Sequence, residues 1–62
     1  MREDEELRRL RHDLRSPLVV IDGFAGLLAS DRAIDPDQRR DYAERIRRAA
    51  KELEQLLAQA LA

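Results

Sequence analysis

Two apolar stripes in helical phase, joined by one well-marked stop and restart, leave this chain few ways to fold. In the first half Leu7, Leu10, Leu14, Ile21, Phe24 and Leu28 fall on a and d of a heptad when Leu7 is a, and Pro17 takes the intervening d. In the second half Tyr42, Ile46, Ala49, Leu53, Leu56 and Ala60 step alternately by four and three, with Ala50, Leu57 and Leu61 widening the stripe. Between them Asp35-Pro36-Asp37-Gln38 supplies a cap residue, a proline at the first helical position, an early acid and a glutamine placed to bond back. This pattern predicts an all-α chain: a helix over about 3–30, a loop over about 31–35 and a second helix over about 36–61, folded as an antiparallel hairpin.

Pro17 opposes a continuous first helix. An interior proline removes the hydrogen bond to the carbonyl of Asp13 and costs about 3 kcal/mol in an ordinary helix. Ser16-Pro17 also reads as an N-cap and first residue of a new helix. The heptad phase nevertheless runs unshifted across Pro17 into Ile21, Phe24 and Leu28, so a kinked but continuous helix is expected. Glu3, Asp4, Glu5 and Glu6 lie where the positive end of the helix dipole favours carboxylates. Asp4 with Arg8 and Glu5 with Arg9 are spaced for i,i+4 ion pairs.

Sixty-two residues make one domain, 1–62, and a hairpin of this size cannot enclose a core of its own. At about 1.5 Å per residue the first helix would run to about 40 Å, too long to stand without a partner. Without cysteine there is no disulfide framework or thiolate site, and one histidine with no neighbouring ligand argues against zinc. Each hairpin keeps an uncovered apolar side, so two chains pairing into a homodimeric four-helix bundle is the expected solution.

Charged residues make up 40% of the chain, yet they nearly cancel at a net charge of -1, which argues against a domain built to coat nucleic acid or an anionic membrane. Arg45, Arg47, Arg48 and Lys51 are interleaved with Glu44, Glu52 and Glu54 and read as a solvated face. No basic residues alternate with aromatics, so a dimeric RNA-binding reading has little support. No apolar run nears the roughly 20 residues needed to span a bilayer, and no signal-peptide pattern is seen, so a soluble piece with no direct membrane contact is expected.

The only histidine, His12, takes an f position, farthest from the seam, whereas a histidine serving the core belongs at a, d, e or g. On position alone, a solvated histidine without a role fits equally well. The run His12-Asp13-Leu14-Arg15-Ser16-Pro17-Leu18, however, resembles the H-box of sensor histidine kinases, the phosphoacceptor sequence of their dimerisation and histidine phosphotransfer domain. The likeness extends to the layout, since in that family a long helix with the H-box near its start ends in a hairpin and a second helix returns.

The resemblance implies that His12 attacks the γ-phosphoryl group of ATP held in a separate domain, and that the phosphoryl group then passes to an aspartate of a response-regulator receiver domain. Imidazole is a good nucleophile near neutral pH, and the transfer then needs mainly positioning. Asp13 matches the family's acidic neighbour, which orients or deprotonates the other ring nitrogen; by spacing alone it would be a surface charge, because i and i+1 diverge on a helix. Ser16 stands where relatives carry a threonine or asparagine that positions water for dephosphorylating the regulator, or else it bonds the backbone beside Pro17.

The resemblance further implies a cytoplasmic fragment of a longer, sometimes membrane-anchored kinase. ATP and Mg²⁺ would be bound by that parent's catalytic domain, so this chain holds no cofactor or metal and is inactive alone. The rival expectation is a non-catalytic helical-bundle adaptor.

Stepping by four and three from His12 gives Ser16, Val19, Gly23 and Gly26, a strip with no long or charged side chain. Interior glycines cost on the order of 1 kcal/mol each relative to alanine, so Val19, Gly23 and Gly26, together with the facing part of the second helix, are expected to receive a helix of the regulator. Crowding between helices of the bundle would equally account for the glycines.

Overall fold

The structure is a computed structural model and describes residues 2–61, with side-chain surroundings from residue 4 onward. The first-turn carboxylate of Glu3 and the terminal residues Met1 and Ala62 of the expected 1–62 span therefore lie outside the described residues. Two helices make up the fold, α1 over Arg2–Ala29 and α2 over Pro36–Leu61.

Both ends of the connection are capped locally. Ser30 donates its hydroxyl to the Leu27 carbonyl at 2.7 Å, and its backbone N–H points to the same oxygen at 3.3 Å. At the start of α2, Oδ1 of Asp35 accepts from the N–H of Gln38 at 2.8 Å, while Oε1 of Gln38 accepts from the N–H of Asp35 at 3.3 Å. This reciprocal capping box is the one the Asp35-Pro36-Asp37-Gln38 pattern calls for, and such a cap contributes about 1 kcal/mol. The proline at N1 loses nothing, because its missing N–H is one of the helix's orphan donors.

The helices run antiparallel. Beside the loop, the ring of Phe24 packs on that of Tyr42, with centroids 5.2 Å apart and planes tilted by 37°. At the far end Leu7 and Leu10 share a groove with Leu56 and Ala60. One heptad back along α1 from Phe24 is Pro17, and one heptad on along α2 from Tyr42 is Ala49. These are the hairpin's most enclosed apolar side chains, with Pro17 under 2% and Ala49 at 5% relative exposure. A further heptad brings Leu10 level with Leu56. The smallness of Ala49 is what lets a proline-bearing stretch of α1 approach α2 closely at this layer.

α1 passes through Pro17 without interruption, so no new helix begins at Ser16. Proline has no N–H, so the carbonyl of Asp13 is left without its helical donor, one residue from His12. The cost is offset by burying the ring at the seam rather than exposing it.

The remaining seam residues, Leu10, Leu14, Ile21, Phe24 and Leu28 against Tyr42, Ile46, Leu53 and Leu56, are only half-buried. Leu7 and Ala60, also expected at the seam, are exposed. The open end explains both: Leu7 faces Gln59 and Ala60, which offer little bulk to cover it. With extents of 49 × 18 × 10 Å and a radius of gyration of 14.8 Å, the chain is a rod. A compact domain of this length would have a radius near 10.6 Å, roughly, so the hairpin does not close a core around itself.

Candidate functional site

His12 lies on the α1 face turned away from α2, and its side chain is 86% exposed. Two features of the sequence place it there. The heptad puts it at f while Leu10 and Leu14 hold the seam, and Asp13 follows it along the edge of the groove between the helices. Although consecutive residues diverge on a helix, the Asp13 carboxylate swings toward the ring, bringing Oδ1 to 3.6 Å from Nδ1 of His12. That distance is a close contact, too long for a hydrogen bond. It engages the Nδ1 edge of the imidazole and leaves Nε2 on the opposite edge.

Ser16 follows one turn later on the same face and is exposed. Among the described residues its hydroxyl takes no hydrogen bond, unlike that of Ser30, so backbone bonding beside Pro17 does not account for it. Val19, at 62% exposure, extends the strip toward Gly23 and Gly26. A Cβ built on either glycine meets nothing within 4 Å, so helix crowding within the hairpin does not explain them.

Three arginines neighbour His12 on α1. Arg8, Arg11 and Arg15 border one open groove with the imidazole. Leu18 and Val19 form its apolar part, and Asp22 closes its far end. This arginine row is the feature that reading the sequence for motifs missed. Its signal was the spacing of Arg8, Arg11 and Arg15 about the histidine, i−4, i−1 and i+3.

Elsewhere the charges behave as a solvated surface. Arg45 bonds Asp41 at 3.0 Å through Nε and lies over the Phe24 ring at 5.5 Å, while Arg47 reaches Glu44 at 3.4 Å. The expected pairs Asp4 with Arg8 and Glu5 with Arg9 do not close. Among the described residues the ion pairs are those of Arg45 with Asp41 and Arg47 with Glu44, besides the close contact of Asp13 with His12. Exposed arginines near a helix start lose side-chain entropy on pairing and gain little in water, which leaves such bridges open. Among the described residues, no three histidine or carboxylate groups stand together to hold a metal ion, and no helix is long and apolar enough to cross a membrane.

A two-helix hairpin carrying a solvent-facing histidine next to an acid, one turn before a Ser-Pro step, is the framework of a histidine phosphotransfer domain. The chain matches the model of the His Kinase A (phospho-acceptor) domain over residues 2–62 and belongs to that family. No match was found among curated proteins or among solved structures. The protein is thus a phosphoacceptor and dimerisation module of a histidine kinase, a component of two-component signalling, and the adaptor alternative is not favoured.

Proposed function

We propose that His12 is the residue that receives the phosphoryl group, with Nε2 as the attacking atom. The observation that carries this reading is the exposed imidazole whose Nδ1 edge, and only that edge, is engaged by Asp13. A carboxylate at Nδ1 favours the tautomer with the proton on that nitrogen, leaving the lone pair on Nε2. Attack on the γ-phosphorus of ATP forms the N–P bond as the bond to the ADP oxygen breaks. The Nδ1 proton then leaves toward Asp13 or water.

The ATP-binding domain of the parent kinase would bring ATP and Mg²⁺, so this chain acts as substrate and relay and does not turn over ATP alone. The phosphoryl group next passes to an aspartate of a receiver domain docked on Val19, Gly23 and Gly26, a smooth strip about two to four turns beyond the imidazole. Ser16, one turn after His12, would orient water for hydrolysis of the regulator's aspartyl phosphate.

Dimerisation belongs to the same reading. Leu57 and Leu61 are exposed on α2, and Leu7 is exposed at the open end of α1. Half-buried seam side chains would each gain on the order of 1 kcal/mol when a second hairpin covers them. The domain would operate in the cytoplasm, within a parent that is itself free or membrane-anchored.

The test is transfer of radiolabelled γ-phosphate from ATP to the chain with the parent's ATP-binding domain supplied in trans, comparing the native chain with His12→Gln. Acid-labile, alkali-stable label on the native chain alone is the expected result. Equal labelling of His12→Gln, or no label on a folded dimer beside an ATP-loaded domain, would refute it.

A further inference from the structure

Around His12 stands a row of positive charge that the acceptor chemistry does not itself require. Arg8 lies one turn before the histidine, Arg11 immediately before it and Arg15 one turn after, and all three border the groove that the imidazole enters. Residues three or four apart on a helix have Cβ atoms about 5–6 Å apart, well within the reach of an arginine side chain. Among the described residues none of the three closes an ion pair: Asp13 is turned to Nδ1 of His12, and Asp4 does not reach Arg8. The remaining carboxylate of the groove, Asp22, follows Arg15 by two turns.

Like charges at i,i+3 and i,i+4 repel and destabilise an isolated helix, and here Arg8 with Arg11, and Arg11 with Arg15, are so spaced. No acid within the row relieves them. A dianion arriving at Nε2 would do so, meeting guanidinium forks whose planar donors match phosphoryl oxygens two at a time. The arginine charges would also offset the repulsion between the incoming dianion and Asp13, which is next to the ring.

We propose that Arg8 and Arg11, together with Arg15, form a cationic cradle that binds the phosphoryl dianion as it reaches His12 and while it remains there. The proposal rests on His12 being the phosphoacceptor. The guanidiniums make and break no bonds; they hold oxygens.

The test uses the full chain and potassium phosphoramidate, a small phosphoryl donor that needs no ATP-binding domain. The phosphoryl group moves from the donor nitrogen to Nε2, the donor P–N bond breaks, and the imidazole proton leaves with the released ammonia. Phosphorus NMR follows the rate and then the titration of the bound phosphoryl group, with helicity checked by circular dichroism. The variants are His12→Gln, the pair Arg8→Gln with Arg11→Gln, the charge-keeping pair Arg8→Lys with Arg11→Lys, and Arg48→Gln on α2 as a control.

The native chain is expected to label at His12, and the double glutamine variant about five- to tenfold more slowly, with its phosphoryl titration midpoint raised by about half a pH unit because nearby cations favour the dianion. The lysine pair, which keeps the charge but not the planar fork, should recover most of the midpoint and only part of the rate, and Arg48→Gln should match the native chain. Equal rates and equal midpoints in the native and glutamine proteins, with His12 labelled in both, would overturn the cradle alone. Failure of the native chain to label, or labelling that persists in His12→Gln, would overturn the phosphoacceptor reading and the cradle with it.

Discussion

Asp13 directs its Oδ1 to 3.6 Å from Nδ1 of His12, although the two residues are consecutive on a helix and their Cβ atoms diverge. The short aspartate side chain manages this because it lies between the interhelical groove and the outer face, where it borders Leu10 on one side and the imidazole on the other. The contact engages the Nδ1 edge of the ring and leaves the Nε2 edge open.

Asp13→Asn keeps the shape of the side chain and removes the proton acceptor. Phosphorylation of His12 by the parent's ATP-binding domain should fall by about 10- to 100-fold, toward the lower end of what a general base contributes. Helicity and dimer content should stay as in the native protein. A labelling rate within twofold of native would remove Asp13 from the mechanism.

The exposed leucines of the open end should govern assembly. Leu57→Glu, and more strongly its combination with Leu7→Glu, places charge where a second hairpin would pack, and sedimentation velocity should then report monomers with reduced helicity. Val19→Glu, beside the histidine, should leave the dimer intact. If Leu57→Glu sediments as the native protein does, the dimer uses another face.

Gly23 and Gly26 separate stability from docking. Since a Cβ on either meets open space, Gly23→Ala or Gly26→Ala should stabilise the helix by about 1 kcal/mol and raise the thermal midpoint. Gly23→Arg or Gly26→Arg should leave His12 phosphorylation unchanged while transfer to the receiver domain drops at least tenfold, roughly, because a long cation stands where its helix would lie. Transfer at the native rate in both arginine variants would show that the strip is not the docking surface.

Ala49 sets the separation of the helices level with Pro17. Ala49→Leu adds volume to the most enclosed layer and should cost about 1–3 kcal/mol in thermal or urea unfolding. Its effect should exceed that of Ala50→Leu, whose position is exposed.

Asp35→Ala removes one half of the box with Gln38 and should lower stability by about 1 kcal/mol, whereas Asp35→Asn should retain most of it. Thermal denaturation followed by circular dichroism distinguishes the two.

The helical hairpin was legible because its signals are local or periodic. The phase of Leu7 through Leu28 states which face of α1 is apolar whatever surrounds it, and Asp35 to Gln38 close a cap within four residues of chain. The same periodicity put His12 on the outer face, and the motif around it gave the family. Ion pairing was less legible: Asp4 and Arg8 have the right spacing, but exposed partners in water have little reason to stay together.

Two things were decided only when the helices met. The register that brings Phe24 to Tyr42 also sets Pro17 level with Ala49, which turns a helix-breaking residue into a packed one. The same register leaves Leu7 opposite Gln59 and Ala60, uncovered despite its seam position. The groove about His12, by contrast, is lined from α1 alone and follows from the spacing of Arg8, Arg11 and Arg15 along that helix. Sequence by itself determined the helices, their cap and the outward histidine, because those follow from hydrogen bonds and periodicity within single segments. Side-chain contacts and burial depend on how far one helix slides along the other and which rotamers that permits, and only the tertiary structure decided them.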